Sequence, residues 1–419
     1  MKDGMSETAP TAATTVTPSP ESTADRFAGV RQEGVAQEAA LPDFRFEARI
    51  RKRFGDFCLG VEFHAGPGFT ILFGASGAGK TTLLDCVAGI VGPEEGLIQS
   101  DKRVLYDSAS RINVPVAKRN VGYVFQNLAL FPHFTVEQNV AYGLAHLPRV
   151  QRDQRIASIL EAFRIDHLAA RSAREVSGGE SQRVALARTL VTKPGVLLLD
   201  EPLSALDAPT KSKIIEDLRG WNRSHNIPIL YVTHSREEVF ALGEHVLVLD
   251  RGKILARGSP HEVMTAPFQE TVAQLAGFEN IFDATVESVH PEQGSMTCRI
   301  GSVDAVFLET PLVRAGVGSP LRVGVRAGDI LLATSLPQGL SARNVIPGWV
   351  RSLEQRDVIV SCRVECSGMS NSERTNCGVE LEVHLTLAAR DSLQLEPGKQ
   401  VWLVIKTHSC HLMQTPSTE

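Results

Sequence analysis

The chain has 419 residues, more than one compact core accommodates, so two or three domains are expected. Its composition, 43% hydrophobic and 22% charged, is typical of globular proteins, and the net charge of −5 argues against nucleic acid as a partner. No apolar run approaches the roughly 20 residues of a membrane-spanning helix. The seven scattered cysteines argue against a disulfide framework and favour a reducing cytoplasm.

The first 277 residues divide into two regions of different composition. Residues 1–41 are rich in Ala, Thr, Ser, Pro and Glu and contain few large apolar side chains, so disorder is expected there. Residues 42–277 are expected to form an α/β domain. Apolar runs at 69–73, 196–199 and 229–232 lack alternation, as in strands covered on both faces, and helical stretches lie between them.

Residues 281–419 have the composition of an all-β domain, with short apolar runs separated by Gly and Pro. This region contains an internal repeat, which predicts two small β-barrel lobes at about 281–335 and 336–415. The segments that recur are 286–288, 298–300 and 323–326, matched by 350–352, 362–364 and 404–406.

A glycine-rich loop follows the run at 69–73 and fits the pattern Gly-x-x-x-x-Gly-Lys-Ser/Thr. Its glycines let backbone N–H groups face the phosphates of a nucleotide at a helix start. Lys80 is expected to reach the β- and γ-phosphates, and the Thr81 hydroxyl to ligate Mg²⁺. The strand before the loop and the helix after it disfavour a merely flexible segment. The predicted ATP-binding residues are Gly74, Ala75, Ser76, Gly77, Ala78, Gly79, Lys80, Thr81 and Thr82.

The apolar run at 197–199 ends in two carboxylates, Asp200 and Glu201. An acidic residue at a strand tip can hold the hydration shell of Mg²⁺, and the next one is suited to polarise an attacking water. A solvated strand end would otherwise be the default interpretation. Because the pair follows Lys80 by 120 residues in an α/β pattern, it favours ATP hydrolysis.

The segment Ser177-Gly178-Gly179-Glu180 resembles the signature motif of ABC transporter ATP-binding cassettes. The resemblance implies that Ser177, Gly178 and Gly179 start a helix and cap the γ-phosphate of ATP bound by the opposite subunit. Such a role is consistent with anion binding at a helix N-terminus.

Three further motifs of that family stand in the family's order. Gln126 resembles the Q-loop glutamine, which joins Mg²⁺ and water to the membrane subunits. Asp207 closes a segment similar to the D-loop, and His234 resembles the switch histidine that contacts the γ-phosphate. An aromatic residue upstream should stack on adenine; Phe54 is the first candidate and Phe57 the second, although either could be part of the core.

The family resemblance implies a P-loop NTPase fold, with a RecA-like core and a helical subdomain, in an ATPase that uses ATP and Mg²⁺. It also implies a homodimer with two ATP molecules between the subunits. Further partners would be integral-membrane permease subunits, contacted around residues 128–143, and indirectly a periplasmic binding protein. The protein would be peripheral, on the cytoplasmic face of the inner membrane.

The segment Ser341-Ala342-Arg343-Asn344 resembles an element of the OB-like Mop or TOBE fold found in the ATP-binding subunits of molybdate importers. A tetrahedral dianion needs several donors and positive charge, so Ser341, Arg343 and Lys406 are candidate oxyanion ligands. The domain could instead only scaffold or dimerise the cassettes. The resemblance implies that the cargo is molybdate or tungstate; alternative cargoes are sulfate, ferric iron, polyamine or sugar. A soluble ABC ATPase of ribosomes or DNA repair is disfavoured, because the chain has one cassette and an acidic balance.

Overall fold

A computed structural model describes residues 45–265, 267, 269–301, 305–356, 358–366 and 378–413. The segment 1–41, for which disorder is expected, lies outside these residues. Within the described ranges, no helix is both long and apolar enough to cross a membrane.

Strands and helices alternate in the first part of the chain, and strands dominate the second part. The described strands are β1 (Phe46–Phe54), β2 (Phe57–Ala65), β3 (Gly68–Phe73), β4 (Glu95–Ser100), β5 (Arg103–Asp107), β6 (Ile112–Asn113), β7 (Val121–Val124), β8 (Val196–Asp200), β9 (Pro228–Thr233), β10 (His245–Asp250), β11 (Lys253–Gly258), β12 (Asn280–His290), β13 (Ser295–Ile300), β14 (Val306–Pro311), β15 (Pro320–Val325), β16 (Leu331–Ala333), β17 (Asn344–Arg356), β18 (Ile359–Cys366), β19 (Val379–Thr386), β20 (Gln400–Ile405) and β21 (His411–Met413). The described helices are α1 (Lys80–Ala88), α2 (Val136–Ala141), α3 (Arg149–Ala162), α4 (Gly178–Leu190), α5 (Ala208–His225), α6 (Arg236–Leu242), α7 (Pro260–Thr265), α8 (Glu270–Leu275) and α9 (Leu387–Ser392).

A six-stranded sheet in the order β11-β10-β3-β9-β8-β7 forms the centre of the α/β domain. Strands β10, β3, β9, β8 and β7 are parallel, and β11 is antiparallel to β10. The carboxyl ends of β3, β8 and β9 therefore meet at one edge, where ligands of open α/β sheets bind. An antiparallel sheet in the order β2-β1-β4-β5-β6 accompanies it.

Successive residues of β8 belong to different cores. Leu197 and Leu199 pack with the helices from α2 to α8. Val196 and Leu198 face the other way and pack with α1 and the antiparallel sheet. This burial on both faces explains why the strand is an unbroken apolar run.

The second part of the chain contains two five-stranded sheets that enclose one core. Their orders are β14-β13-β12-β15-β21 and β19-β18-β17-β20-β16. The two sheets share an irregularity, because β12 shifts register between Val286 and Ser288 and β17 between Val350 and Ser352. The predicted fold class, an α/β P-loop cassette followed by a small all-β domain, is confirmed.

The two lobes differ from the simple tandem arrangement that the sequence predicts, because they exchange their last strands. Strand β16 follows the first lobe but pairs with β20 of the second, while β21 follows the second lobe and pairs with β15 of the first. Each of these strands has three residues, too few to carry a sequence pattern.

Two buried asparagines join the lobes in equivalent ways. The side chain of Asn280, at the start of β12, donates to the carbonyl of Glu382 at 2.8 Å and accepts from its N–H at 2.7 Å. Asn344, at the start of β17, makes the same pair of bonds with Glu309 at 2.9 and 2.6 Å. Each lobe therefore clamps an outer strand of the other.

Candidate functional site

The loop between β3 and α1 is shaped by three glycines in the left-handed region, Gly74, Gly77 and Gly79. A Cβ atom at Gly74 would lie 2.2 Å from the carbonyl oxygen of Leu249, so only glycine fits this position. At Gly79 it would lie 2.8 Å from the ring of Phe57. The tight fit holds the loop's N–H groups around the start of α1.

Lys80 is buried and turns back over this loop. Its Nζ donates to the carbonyl oxygens of Gly74 at 2.9 Å and Ala75 at 2.8 Å. Burial lowers the pKa of Lys80, against the attraction of Glu201 and Asp200. The ammonium group thus lies where phosphate oxygens could replace the two carbonyls as its acceptors.

A group of carboxylates lies beside Lys80 at the end of β8. Asp200 is 5% exposed, and its pKa is raised by burial and by the neighbouring charges of Glu201 and Asp85, while a hydrogen bond from Thr81 opposes the shift. Burial also raises the pKa of Asp85, whose carboxylate accepts from the Tyr123 hydroxyl at 3.1 Å. Asp85, one turn after Thr81 on α1, was not predicted from the sequence as a site residue. Asp200 is the buried acid of this group, and Asp85 and Glu201 are half-buried.

Gln126, Glu201 and His234, predicted separately, come together in the structure. Gln126 Nε2 donates to Glu201 Oε2 at 3.4 Å, and His234 Nδ1 lies 3.3 Å from Glu201 Oε1. The backbone of Glu201 is in the left-handed region at φ 44°, and its N–H donates to the carbonyl of Val232 at 3.1 Å. An unusual backbone conformation at this position is typical of functional sites.

Two residues that sequence reasoning missed hold this group in place. Glu238 on α6 is buried and accepts from the Thr233 hydroxyl at 2.7 Å and the Tyr231 hydroxyl at 2.9 Å, which fixes the segment that carries His234. Arg188 on α4 donates to the carbonyls of residues 128 and 129, just after Gln126. The one local signal is Ser235, which caps α6 and accepts from the Glu238 N–H at 3.3 Å; Arg188 bonds to backbone carbonyls about 60 residues away.

The two candidate adenine-stacking residues lie at the turn between β1 and β2. Phe54 is 45% exposed, and Lys52 Nζ lies 5.4 Å from its ring centroid. Phe57 packs against the loop at Gly79. Both line one cavity of about 700 Å³ together with most of the predicted ATP and Mg²⁺ residues: Ser76, Gly77, Gly79, Lys80, Thr81, Thr82, Gln126, Asp200, Glu201 and His234.

The signature residues lie outside this cavity. Ser177 is the N-cap of α4 and forms a capping box with Glu180, whose carboxylate accepts from the Ser177 N–H at 2.7 Å. Asp207 is the N-cap of α5 and accepts from the N–H of Thr210 at 3.3 Å. Gly178 and Gly179 occupy the first turn of α4. The same chain does not bring these residues to its own nucleotide cavity.

The surface after Gln126 carries an aromatic cluster. Phe131 lies 5.3 Å from Phe134 and 4.5 Å from Tyr142, measured between ring centroids. Leu130, Phe131 and Phe134 are half-buried, and Tyr142 is 61% exposed.

The three candidate oxyanion ligands are exposed in the all-β domain. Asn344 pairs with Ile405, so Arg343 and Lys406 stand at the same end of the β17–β20 ladder. Arg326, which occupies the matching place in the first lobe, instead donates to the carbonyl of Met264 at 2.6 Å and lies 4.4 Å from the ring centroid of Phe278. Lys406 is therefore exposed, whereas Arg326 is half-buried.

Two family models match this chain, and similar proteins are known from other organisms. The family described as ABC transporter matches residues 60–204, and the family described as TOBE domain matches residues 340–412. The molybdenum import ATP-binding protein of Rhizobium meliloti (strain 1021) is 37% identical over 365 residues, 87% of this chain and 98% of the relative. The protein of the same name from Vibrio cholerae is 36% identical, covering 85% and 95%. A solved ABC transporter component from Clostridium perfringens is 28% identical, covers 53% of this chain and 91% of its own, and has a TM-score of 0.48.

Proposed function

Because this chain belongs to the molybdenum import ATP-binding proteins, the ATPase subunits of ABC transporters, we propose that it hydrolyses ATP to drive molybdate import. The meeting of Gln126, Glu201 and His234 beside the Lys80 loop carries the ATPase part of this proposal. The family relationship carries the choice of molybdate. Tungstate has the same geometry and charge as molybdate, so we propose it as a second cargo.

The nucleotide cavity suits ATP with Mg²⁺. Lys80 and the loop N–H groups would hold the β- and γ-phosphates, and Phe54 would stack on adenine. Thr81, Gln126 and Asp200 would hold Mg²⁺, which when bound supplies charge neutralisation on the phosphates. The raised pKa of Asp200 supports this assignment, since a cation would offset the crowding of acids there.

Four residues of the nucleotide cavity have separate roles in ATP hydrolysis. Glu201 polarises the attacking water, because its partly exposed carboxylate lines the nucleotide cavity. His234 and Gln126 orient that carboxylate and the water. Lys80 and the loop N–H groups stabilise negative charge that develops on the transferred phosphoryl group.

We also propose a head-to-tail homodimer. Ser177, Gly178 and Gly179 begin α4 away from their own cavity, which supports a role in capping ATP held by a second copy, with Asp207 beside them. Closure of the pair would be passed to integral-membrane permease subunits through the aromatic cluster after Gln126. The complex would lie on the cytoplasmic face of the inner membrane and receive cargo from a periplasmic binding protein.

For the all-β domain we propose an oxyanion sensor with Ser341, Arg343 and Lys406 as ligands. Their exposure and the two positive charges at one end of a strand ladder support this role. Calorimetric titration of the full chain with molybdate, tungstate and sulfate tests it. Binding that Lys406→Ala weakens is the expected result; absence of heat with all three leaves the domain as a scaffold.

The transport function is tested separately, with the chain reconstituted in vesicles with its permease and binding protein. ATP hydrolysis should rise when molybdate is supplied to the binding protein, and the variant Glu201→Gln should abolish the response. Stimulation by sulfate, ferric iron, polyamine or sugar but not molybdate would identify another cargo. A complete lack of ATP hydrolysis would refute the ATPase assignment itself.

A further inference from the structure

A second groove lies between α3 and α5 and shares no described lining residue with the nucleotide cavity. Its volume is about 810 Å³, compared with about 700 Å³ for the nucleotide cavity. Both values fall in the range of roughly 300–1,000 Å³ that is usual for small-molecule sites. Leu190 and Val191, at the end of α4, line its floor. The groove can therefore accommodate a ligand as large as a nucleotide.

The walls of this groove carry positive charges that the protein leaves uncompensated. Arg155 projects from α3, Arg223 from α5, and Lys193 from the turn after α4. Among the described residues, none of the three has an ion-pair partner within 4 Å. Glu216 is the exposed acid on the same walls. Cations that line a concave surface raise the local concentration of anions.

The other acid of the groove, Asp217, is already neutralised. Its carboxylate pairs with Arg164 at 3.2 Å and also with Arg183, and only 4% of its side chain is exposed. Asp217 therefore holds Arg164 and Arg183 in place and does not pair with Arg155, Lys193 or Arg223. The three unpaired cations thus differ from Arg164 and Arg183, whose charges are balanced by Asp217.

The α5 wall of the groove is recessed at Gly220. Glycine in a helix interior is unfavourable, yet a Cβ atom at Gly220 would meet no described atom within 4 Å. Packing therefore does not require glycine there. Next to it, the rings of Trp221 and His225 stack at 3.8 Å with an interplanar angle of 7°, which makes this wall rigid. Because Gly220 has no side chain, the groove between α3 and α5 is wider at this point.

We propose that this groove binds a small polyanion with at least two phosphate groups, at a site separate from the nucleotide cavity. Two guanidinium groups and one ammonium group are suitable donors for phosphate oxygens. Gln154 and Ser158 on α3 add neutral hydrogen-bonding groups to the same wall. Because the donors come from both α3 and α5, the bound ligand joins these two helices.

Inorganic tripolyphosphate is the probe for a calorimetric test on the full chain. The variant Lys80→Ala serves as the parent, because it weakens phosphate binding in the nucleotide cavity. One tripolyphosphate should bind per chain, and Arg155→Ala or Arg223→Ala added to the parent should weaken binding about tenfold or more. Arg219→Ala is the matched control: it removes the same charge from α5 at an exposed position outside the groove.

Two substitutions at one position separate the groove from the general surface charge. Gly220→Glu places a carboxylate in the recess and should abolish binding, whereas Gly220→Ala should retain it. Thermal unfolding of each variant checks that it is folded. The proposal is overturned if the parent binds no tripolyphosphate, if Gly220→Glu binds as well as the parent, or if Arg219→Ala weakens binding as much as Arg223→Ala.

Discussion

Glu201 is the residue on which ATP turnover depends most directly. Its carboxylate contacts both Gln126 and His234 and lies at the edge of the nucleotide cavity. Glu201→Gln keeps the shape but removes the charge that polarises water, so turnover should fall by about 10²-fold or more with little change in ATP binding. Steady-state hydrolysis and labelled-ATP binding measure the two effects. Glu237→Gln, an exposed position on α6, is the control and should leave both unchanged.

Asp200 should make the ligand-free chain less stable at neutral pH. Burial raises its pKa, so the folded state binds the proton more tightly than the unfolded state, and stability falls as pH rises above the ordinary Asp pKa of about 3.9. Asp200→Asn should therefore raise the melting temperature at pH 7, although it impairs Mg²⁺ binding.

The gain in melting temperature from Asp200→Asn should disappear when the pH falls below about 4, because Asp200 is then protonated in the folded and in the unfolded chain. Asp207→Asn, at a carboxylate whose pKa is lowered by its hydrogen bond with Thr210, should bring no gain at either pH. A gain that is the same at both pH values would contradict the electrostatic explanation.

The sequence predicts the positions of the main site residues because they follow buried parallel strands. Lys80, Glu201 and His234 come after β3, β8 and β9, whose ends are adjacent in the sheet. Glu238 and Arg188 could not be predicted in this way. A glutamate or arginine on a helix is usually a solvated side chain, and the tertiary structure shows that Glu238 is buried against two hydroxyls and that Arg188 binds two carbonyls.

At the scale of single elements, α5 contains a position that can be improved. Gly220 lies in the helix interior with open space where a methyl group would be placed. Gly220→Ala should raise the free energy of unfolding by about 0.5–1 kcal/mol, because alanine loses less backbone entropy on folding. Denaturant titration measures the change.

Gly179→Ala on α4 is the contrasting variant. Its methyl group would lie 2.8 Å from Thr210 Cγ2, so this change should bring no stabilisation and should displace the start of α5. A similar gain from both variants would show that local crowding at Gly179 is not a constraint.

Regular elements with strong periodicity are predictable, and short ones are not. β8 is recognisable because it consists of four apolar residues followed by an aspartate at its end. β16 and β21 have three residues each, and their pairing depends entirely on the neighbouring lobe. Their exchange could not be inferred from the repeated segments alone, since a repeat shows similarity but not which copy a strand joins.

At the scale of the whole molecule, the stability of the all-β domain depends on contacts between its lobes. Asn344→Ala removes the two hydrogen bonds with Glu309 and a weaker one to Cys410 Sγ, and it leaves the N–H and carbonyl of Glu309 without those partners. The free energy of unfolding of this domain should fall by about 1–3 kcal/mol. Asn280→Ala, its counterpart in the first lobe, should have a similar cost; a large effect from one variant alone would contradict the equivalence of the two clamps.

The exchanged strands also determine what happens when the polypeptide is cut between the copies. A fragment that ends after β16 would keep β16, which pairs with β20 in the other fragment. The remaining fragment would keep β21, which pairs with β15 in the first. Separately, each fragment would expose an incomplete sheet edge. Mixed, the two fragments should reassociate into one complementing pair, because each supplies the strand that the other lacks.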